Sequence, residues 1–157
     1  MLNTDWIIQL ESVGLVALAG LLGGAIGLER EWAGKAAGLR THIFVCAAAA
    51  LFMALTQSLI AALPTDAGAT AAQPDPIRAM QSVVVGISFL GAGTIIRQGQ
   101  ERIEGLTTAA TILLVAGIGI AVAVGQILTA VAVTALTLFV LIGLGQIEQH
   151  MRKRPRS

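Results

Sequence analysis

Charge is what this sequence has least of: Asp, Glu, Lys and Arg make up 12% of its 157 residues, against about 25% in soluble domains. That shortage, with 55% hydrophobic residues and a mean hydropathy of +0.81, excludes a water-solvated fold and makes lipid the main solvent. Cysteine is nearly absent too. The one present, Cys46, excludes an intramolecular disulfide, and its neighbours Phe44, Val45, Ala47 and Ala48 mark it as a packing residue rather than a reactive thiol. The opening residues Met1 to Asp5 carry no basic segment and no typical cleavage site follows, so the first apolar stretch is expected to stay in the mature protein. No spacing resembles a zinc site, a base and nucleophile pair or a cofactor motif. The expectation is a non-enzymatic protein with no cofactor, no metal and no nucleic-acid partner.

What is present is a series of charge-free runs at about 12–28, 43–63, 82–96, 106–124 and 127–145. A span takes about 20 residues, so these predict an all-α membrane protein, a five-helix transmembrane bundle occupying 1–147, with a basic tail at 148–157. The near-continuous stretch 106–145 is broken only around Gly125-Gln126, which predicts a tight helical hairpin. Basic residues fix the expected orientation. Arg30, Lys35, Arg40, Arg97, Arg102, Arg152, Lys153, Arg154 and Arg156 fall on one side and only Arg78 on the other. That asymmetry predicts an external N-terminus and a cytoplasmic C-terminus. The loop 64–80, with Pro64, Pro74 and Pro76, reads as irregular, closing in a short amphipathic piece.

A possible duplication has an offset of 67 residues: Gly24 matches Gly91, Arg30 matches Arg97, Gly38-Leu39 match Gly105-Leu106, and Thr41 matches Thr108. Helices one and two would then repeat as three and four, a parallel pair of hairpins closed by a fifth helix, unlike inverted-repeat transporters.

Helix one carries Gly20, Gly23, Gly24 and Gly27, and helix three Gly86, Gly91 and Gly93. Glycines at such spacing let backbones approach closely, and in lipid it is packing that holds helices together. They are read as internal bundle contacts, an oligomer seam being the alternative. Glycine-interrupted segments at matching positions also keep a transporter open as the second reading. Against it, no ionisable residue lies inside any apolar run, and ion paths commonly use one despite a cost of ~2.5–3.5 kcal/mol at the bilayer centre. Charges gather instead in Glu29-Arg30-Glu31 through Lys35, Arg40, Thr41 and His42, and in Arg97 through Arg102 to Glu104. Helices two and four begin there, with Thr41 and Thr107 or Thr108 as candidate caps. These cations either hold an anion, a lipid headgroup or an acidic partner, or pair with Glu29, Glu31, Glu101 and Glu104 as a structural network. His42 reads as a cap or packing residue rather than a metal ligand.

Four stretches, Gly27-Leu-Glu-Arg-Glu31, Ala37-Gly-Leu-Arg-Thr-His42, Gly86-Ile-Ser-Phe-Leu-Gly-Ala-Gly93 and Gly105-Leu-Thr-Thr-Ala-Ala-Thr111, closely resemble the MgtC/SapB family in order and spacing. The resemblance implies a bacterial inner-membrane protein of five spans, in a family linked to growth under magnesium limitation, survival in host cells and acid stress. Virulence-type members are described as restraining the ATP synthase, and an older label is magnesium transporter. Those members have Asn at the position of Thr107 and Cys at that of Leu114, and many continue into a cytoplasmic domain. Thr107, with Thr108 and Thr111 in the same motif, points to the shorter SapB-like branch. The expected partners are the lipid bilayer, including anionic lipid, and a membrane protein or a second copy of the chain.

Overall fold

The computed structural model describes residues 2–62, 75–98 and 102–152. Five helices follow the apolar runs: α1 Leu2–Trp32, α2 Leu39–Ala61, α3 Pro76–Gly93, α4 Leu106–Ala123 and α5 Ile127–Arg152. Between α3 and α4 the strands β1 Ile96–Gln98 and β2 Arg102–Glu104 form a small antiparallel ribbon. The chain is thus an all-α bundle with one ribbon in a connection. Helices α1 and α5 outrun the predicted spans at both ends and one end respectively, so 148–152 are helical. The third helix is displaced instead. It starts at Pro76 with Asp75 as cap, the carboxylate accepting from the Ile77 amide at 2.8 Å, and it ends at Gly93 rather than 96. Residues 63–74, most of the predicted loop, lie outside the described residues, as do 153–157 of the basic tail.

Glycine turns stop two helices in the same way. After α1, Gly34 takes φ +66° while the Lys35 and Gly34 amides donate back to Arg30 O and Glu31 O. After α4, Gly125 takes φ +79° and the Gln126 and Gly125 amides donate to Ala121 O and Val122 O. Both are Schellman motifs, which satisfy the last carbonyls and reverse the chain. The second is the predicted hairpin between α4 and α5. At the start of α4, Gly105 is left-handed at φ +93°, and a Cβ there would collide with the Thr94 carbonyl oxygen. Only glycine lets the ribbon return so close to the end of α3.

Helices α1, α2 and α4 form the centre, with α3 against α2 and α4, and α5 against α1 and α4. Contacts at Gly20–Ile43 and Gly27–Leu39 run α1 antiparallel to α2, whereas Cys46–Gly119 and Gln57–Ala123 run α2 parallel to α4. A segment must therefore return between the last two, and α3 does so. The core holds Ile26, Cys46, Met53, Ile112, Val115, Ile118 and Val122. Outward, Leu21, Phe44, Phe89 and Phe139 are each more than 70% exposed, a belt of apolar side chains suited to lipid and not to water. Among the described residues four segments are long and apolar enough to cross a membrane: Trp6–Trp32, Leu39–Ala61, Leu106–Ala123 and Ile127–Gly145. The protein is a multi-pass membrane protein. Helix α3 is not among the four, because Arg78 and Gln81 occupy its first two turns.

Leu39 and Leu106, which open α2 and α4, stand at the 67-residue offset of the sequence similarity. The two hairpins differ in their connections, a Schellman turn in the first and the ribbon in the second.

Candidate functional site

The charged end of the bundle gathers the C-termini of α1 and α3 with the N-termini of α2 and α4. Glycine explains how it packs. A Cβ on Gly23 would lie 2.6 Å from both Cys46 Cβ and His42 O, and one on Gly27 would lie 2.8 Å from His42 Cβ and 2.9 Å from Leu39 Cα. Gly24 and Gly20 face Ile43 at 3.1 and 3.7 Å. On the far side of α2, a Cβ on Gly119 would strike the Cys46 carbonyl oxygen. Helix α2 is thus clamped between two glycine-lined backbones. In α3 only Gly91 touches a neighbour, Ala109 of α4, while Gly86 and Gly93 meet nothing within 4 Å.

Inside the clamp lies His42, fully buried, one turn into α2. Its Nδ1–H donates to Gly38 O at 2.8 Å, and Nε2 lies 3.3 Å from the Thr111 hydroxyl on α4. That hydroxyl also donates to Thr108 O at 2.9 Å. With Nδ1 committed as a donor, neutral imidazole offers Nε2 as an acceptor. The single hydroxyl proton of Thr111 then serves either Nε2 or Thr108 O, and a second ring proton would let all three bonds form together. The chain of groups crosses 69 residues of sequence and pins α2 to α4. Thr108 and Thr111 are buried, whereas Thr107 is exposed and Thr41 half-buried.

The charges divide into spent and available ones. Arg30 is 4% exposed, and Nε and Nη2 both pair with the carboxylate of Glu29, the second bond at 2.6 Å. Glu31 instead reaches across the turn to accept from the Leu39 amide at 2.8 Å. It caps α2, and a Cβ on Gly38 would lie 2.8 Å from its carboxylate and displace it. The predicted threonine caps are therefore corrected. The N-cap residues are Gly38 and Gly105, neither with a capping side chain, because a carboxylate from the preceding helix does that work for α2. Lys35 and Arg40 are exposed. Arg97 pairs with Ile103, and Gln98 with Arg102, along the ribbon backbone; the Arg97 and Arg102 side chains lie outside the described residues.

Four further intramembrane hydroxyls donate to carbonyls of their own helices: Thr56 to Phe52 O, Ser88 to Val84 O, Thr134 to Ala130 O and Thr137 to Val133 O. Gln57 is different, donating at 3.2 Å to Ala123 O, a carbonyl at the end of α4. Among the described residues no three His, Cys, Asp or Glu side chains could share a metal ion. Sequence reasoning treated His42 and Thr111 separately. Their signal was a polar residue on each of two apolar helices, visible in the sequence without the pairing.

The MgtC family model matches residues 16–150. The chain belongs to the MgtC family. Protein MgtC of Salmonella typhimurium is 40% identical over 137 residues, covering 87% of this chain and 54% of that protein. The putative magnesium transporter YhiD of Escherichia coli K12 is 41% identical over 125 residues, covering 79% of this chain and 56% of the relative. This MgtC-family chain spans about half the length of the curated relatives it matches. No solved structure matches it. The match takes in the glycine clamp, His42, Thr111 and both charged connections.

Proposed function

We propose that this chain is a non-enzymatic membrane module that binds and regulates a membrane protein partner through its charged end. The observation that carries the reading is the separation of cations there. Arg30 is buried and neutralised by Glu29, and the amide end of α2 is taken by Glu31, which leaves exposed Lys35 and Arg40 for an acidic partner surface or anionic lipid. The packed core supports the same reading. Gly23, Gly27 and Gly119 bring three backbones into contact, and a close-packed seam suits a scaffold better than a conduit. In this reading the charged end faces the cytoplasm of a bacterial inner membrane, since the sequence pattern assigns nine of the ten basic residues to that side. The family's association with magnesium limitation, acid and host survival supplies the setting, with the ATP synthase as one partner to test.

Replacing Arg40 and Arg97 with Gln is expected to abolish co-purification of the partner in mild detergent while the chain still inserts. Unchanged co-purification would sink the proposal. The second reading, transport of Mg²⁺ or another small solute, follows the name of the Escherichia coli relative. Purified chain in liposomes loaded with a Mg²⁺ indicator separates the two: flux above that of empty liposomes favours transport.

A further inference from the structure

At the end of the bundle away from the charged connections, α2 and α3 part and leave a groove of about 520 Å³. One wall is Phe52, Leu55 and Leu59 of α2, each more than half exposed. The floor is built from small residues, Ala48, Ala49, Ala79 and Gly86. Open space lies over Gly86, where an added Cβ would touch nothing within 4 Å. Two hydroxyls, Thr56 and Ser82, also line the groove. Both donate to carbonyls of their own helices, Phe52 O and Arg78 O, so they offer an occupant little hydrogen-bonding capacity. From Ala48 to Leu59 the wall runs 12 residues, about 16 Å of helix, which matches the ~15 Å of one leaflet's hydrocarbon.

A charge stands next in sequence to the lining residue Ala79. Arg78 is exposed, one turn before Ser82 on the same face of α3. Among the described residues it is the single Lys or Arg at that end of the bundle. Asp75, three residues earlier, has its carboxylate on the Ile77 amide. We propose that this groove is a binding site for one anionic phospholipid, with an acyl chain along the α2 and α3 walls and the headgroup phosphate at Arg78. A leaflet-length apolar wall ending at an isolated cation matches a lipid monomer in both length and charge. The site lies at the opposite end from the partner surface proposed above and does not depend on it.

Native mass spectrometry of the full chain, extracted in mild detergent from vesicles of phosphatidylglycerol and phosphatidylethanolamine, tests the assignment. The monomer is expected to carry one phosphatidylglycerol. Gly86→Leu fills the groove and should lower retention about tenfold, since excluding two methylenes costs about that much. Arg78→Gln should keep a lipid bound but cut the preference for phosphatidylglycerol about fivefold, the effect of one cation near a phosphate. Ser82→Leu, which also lines the groove from α3, gives a second block should Gly86→Leu lose its helical circular dichroism. Equal retention by wild type and a folded blocked variant would overturn the proposal, as would a lipid-free dimer or a headgroup preference that survives Arg78→Gln.

Discussion

Replacing Gly23 by alanine puts one methyl group where α1 and α2 have no room for it. The added Cβ would sit 2.6 Å from Cys46 Cβ and from His42 O, whereas carbon atoms settle at about 3.5–4.0 Å. The two helices must therefore separate by about 1 Å. Helix α2 has nowhere to retreat, because its other face lies against Gly119 of α4 through the Cys46 carbonyl. Overpacking of this kind costs about 1–3 kcal/mol. Movement also threatens the His42 to Thr111 contact, already 3.3 Å long, and an interhelical bond in a membrane protein contributes about 0.6 kcal/mol. A loss of about 2–3 kcal/mol is expected. Gly14→Ala in the same helix is the control. Nothing lies within 4 Å of its added Cβ, so alanine's better helix propensity should make that change neutral or stabilising by up to about 1 kcal/mol. Unfolding by SDS in mixed micelles measures both. Equal stability of the two variants would refute the clamp.

Thr111→Val keeps the shape of the side chain and removes the hydroxyl, leaving His42 Nε2 buried without a partner; a loss of about 1–3 kcal/mol is expected, with Thr111→Ser near wild type in the same titration. Glu31→Ala removes the carboxylate from the Leu39 amide and should cost about 0.5–2 kcal/mol, with faster hydrogen exchange confined to the first turn of α2. Gly125→Ala must hold a side chain at φ +79°, a conformation costing about 1–2 kcal/mol, and should lower the melting temperature in detergent, whereas Gly143→Ala, with open space around it, should not.

Much of the bundle was legible because lipid leaves few options. A spanning segment must satisfy its own backbone and present apolar side chains, so the charge-free runs marked four of the five helices closely. Of those four, α2 and α4 matched their runs nearly end to end, while α1 and α5 continued beyond theirs. The third was harder. Its first two turns carry Arg78 and Gln81, and the apolar run continued into Ile95 and Ile96 past the point where the chain turns into the ribbon. The caps were misplaced for a related reason. Thr41 and Thr107 have the right chemistry near helix starts, but a carboxylate eight residues before Leu39 reached its amide first, a contact that no local pattern announces. Gly86 and Gly93 were read alongside the glycines of α1 as packing positions, yet they face open space while Gly23 and Gly27 face α2.

Scarce charge, apolar runs of spanning length and the break at Gly125-Gln126 were enough, in sequence alone, to determine a multi-pass helical membrane protein, and four motifs carried the resemblance to its family. These are local properties, set by backbone hydrogen bonding and transfer from water to lipid. The tertiary structure decided which glycines become contacts, that Arg30 is spent on Glu29 while Lys35 and Arg40 stay exposed, and that His42 meets Thr111 across the core. Pairings of that sort depend on the rotation and separation of whole helices. Composition and spacing leave those free, and close packing sets them.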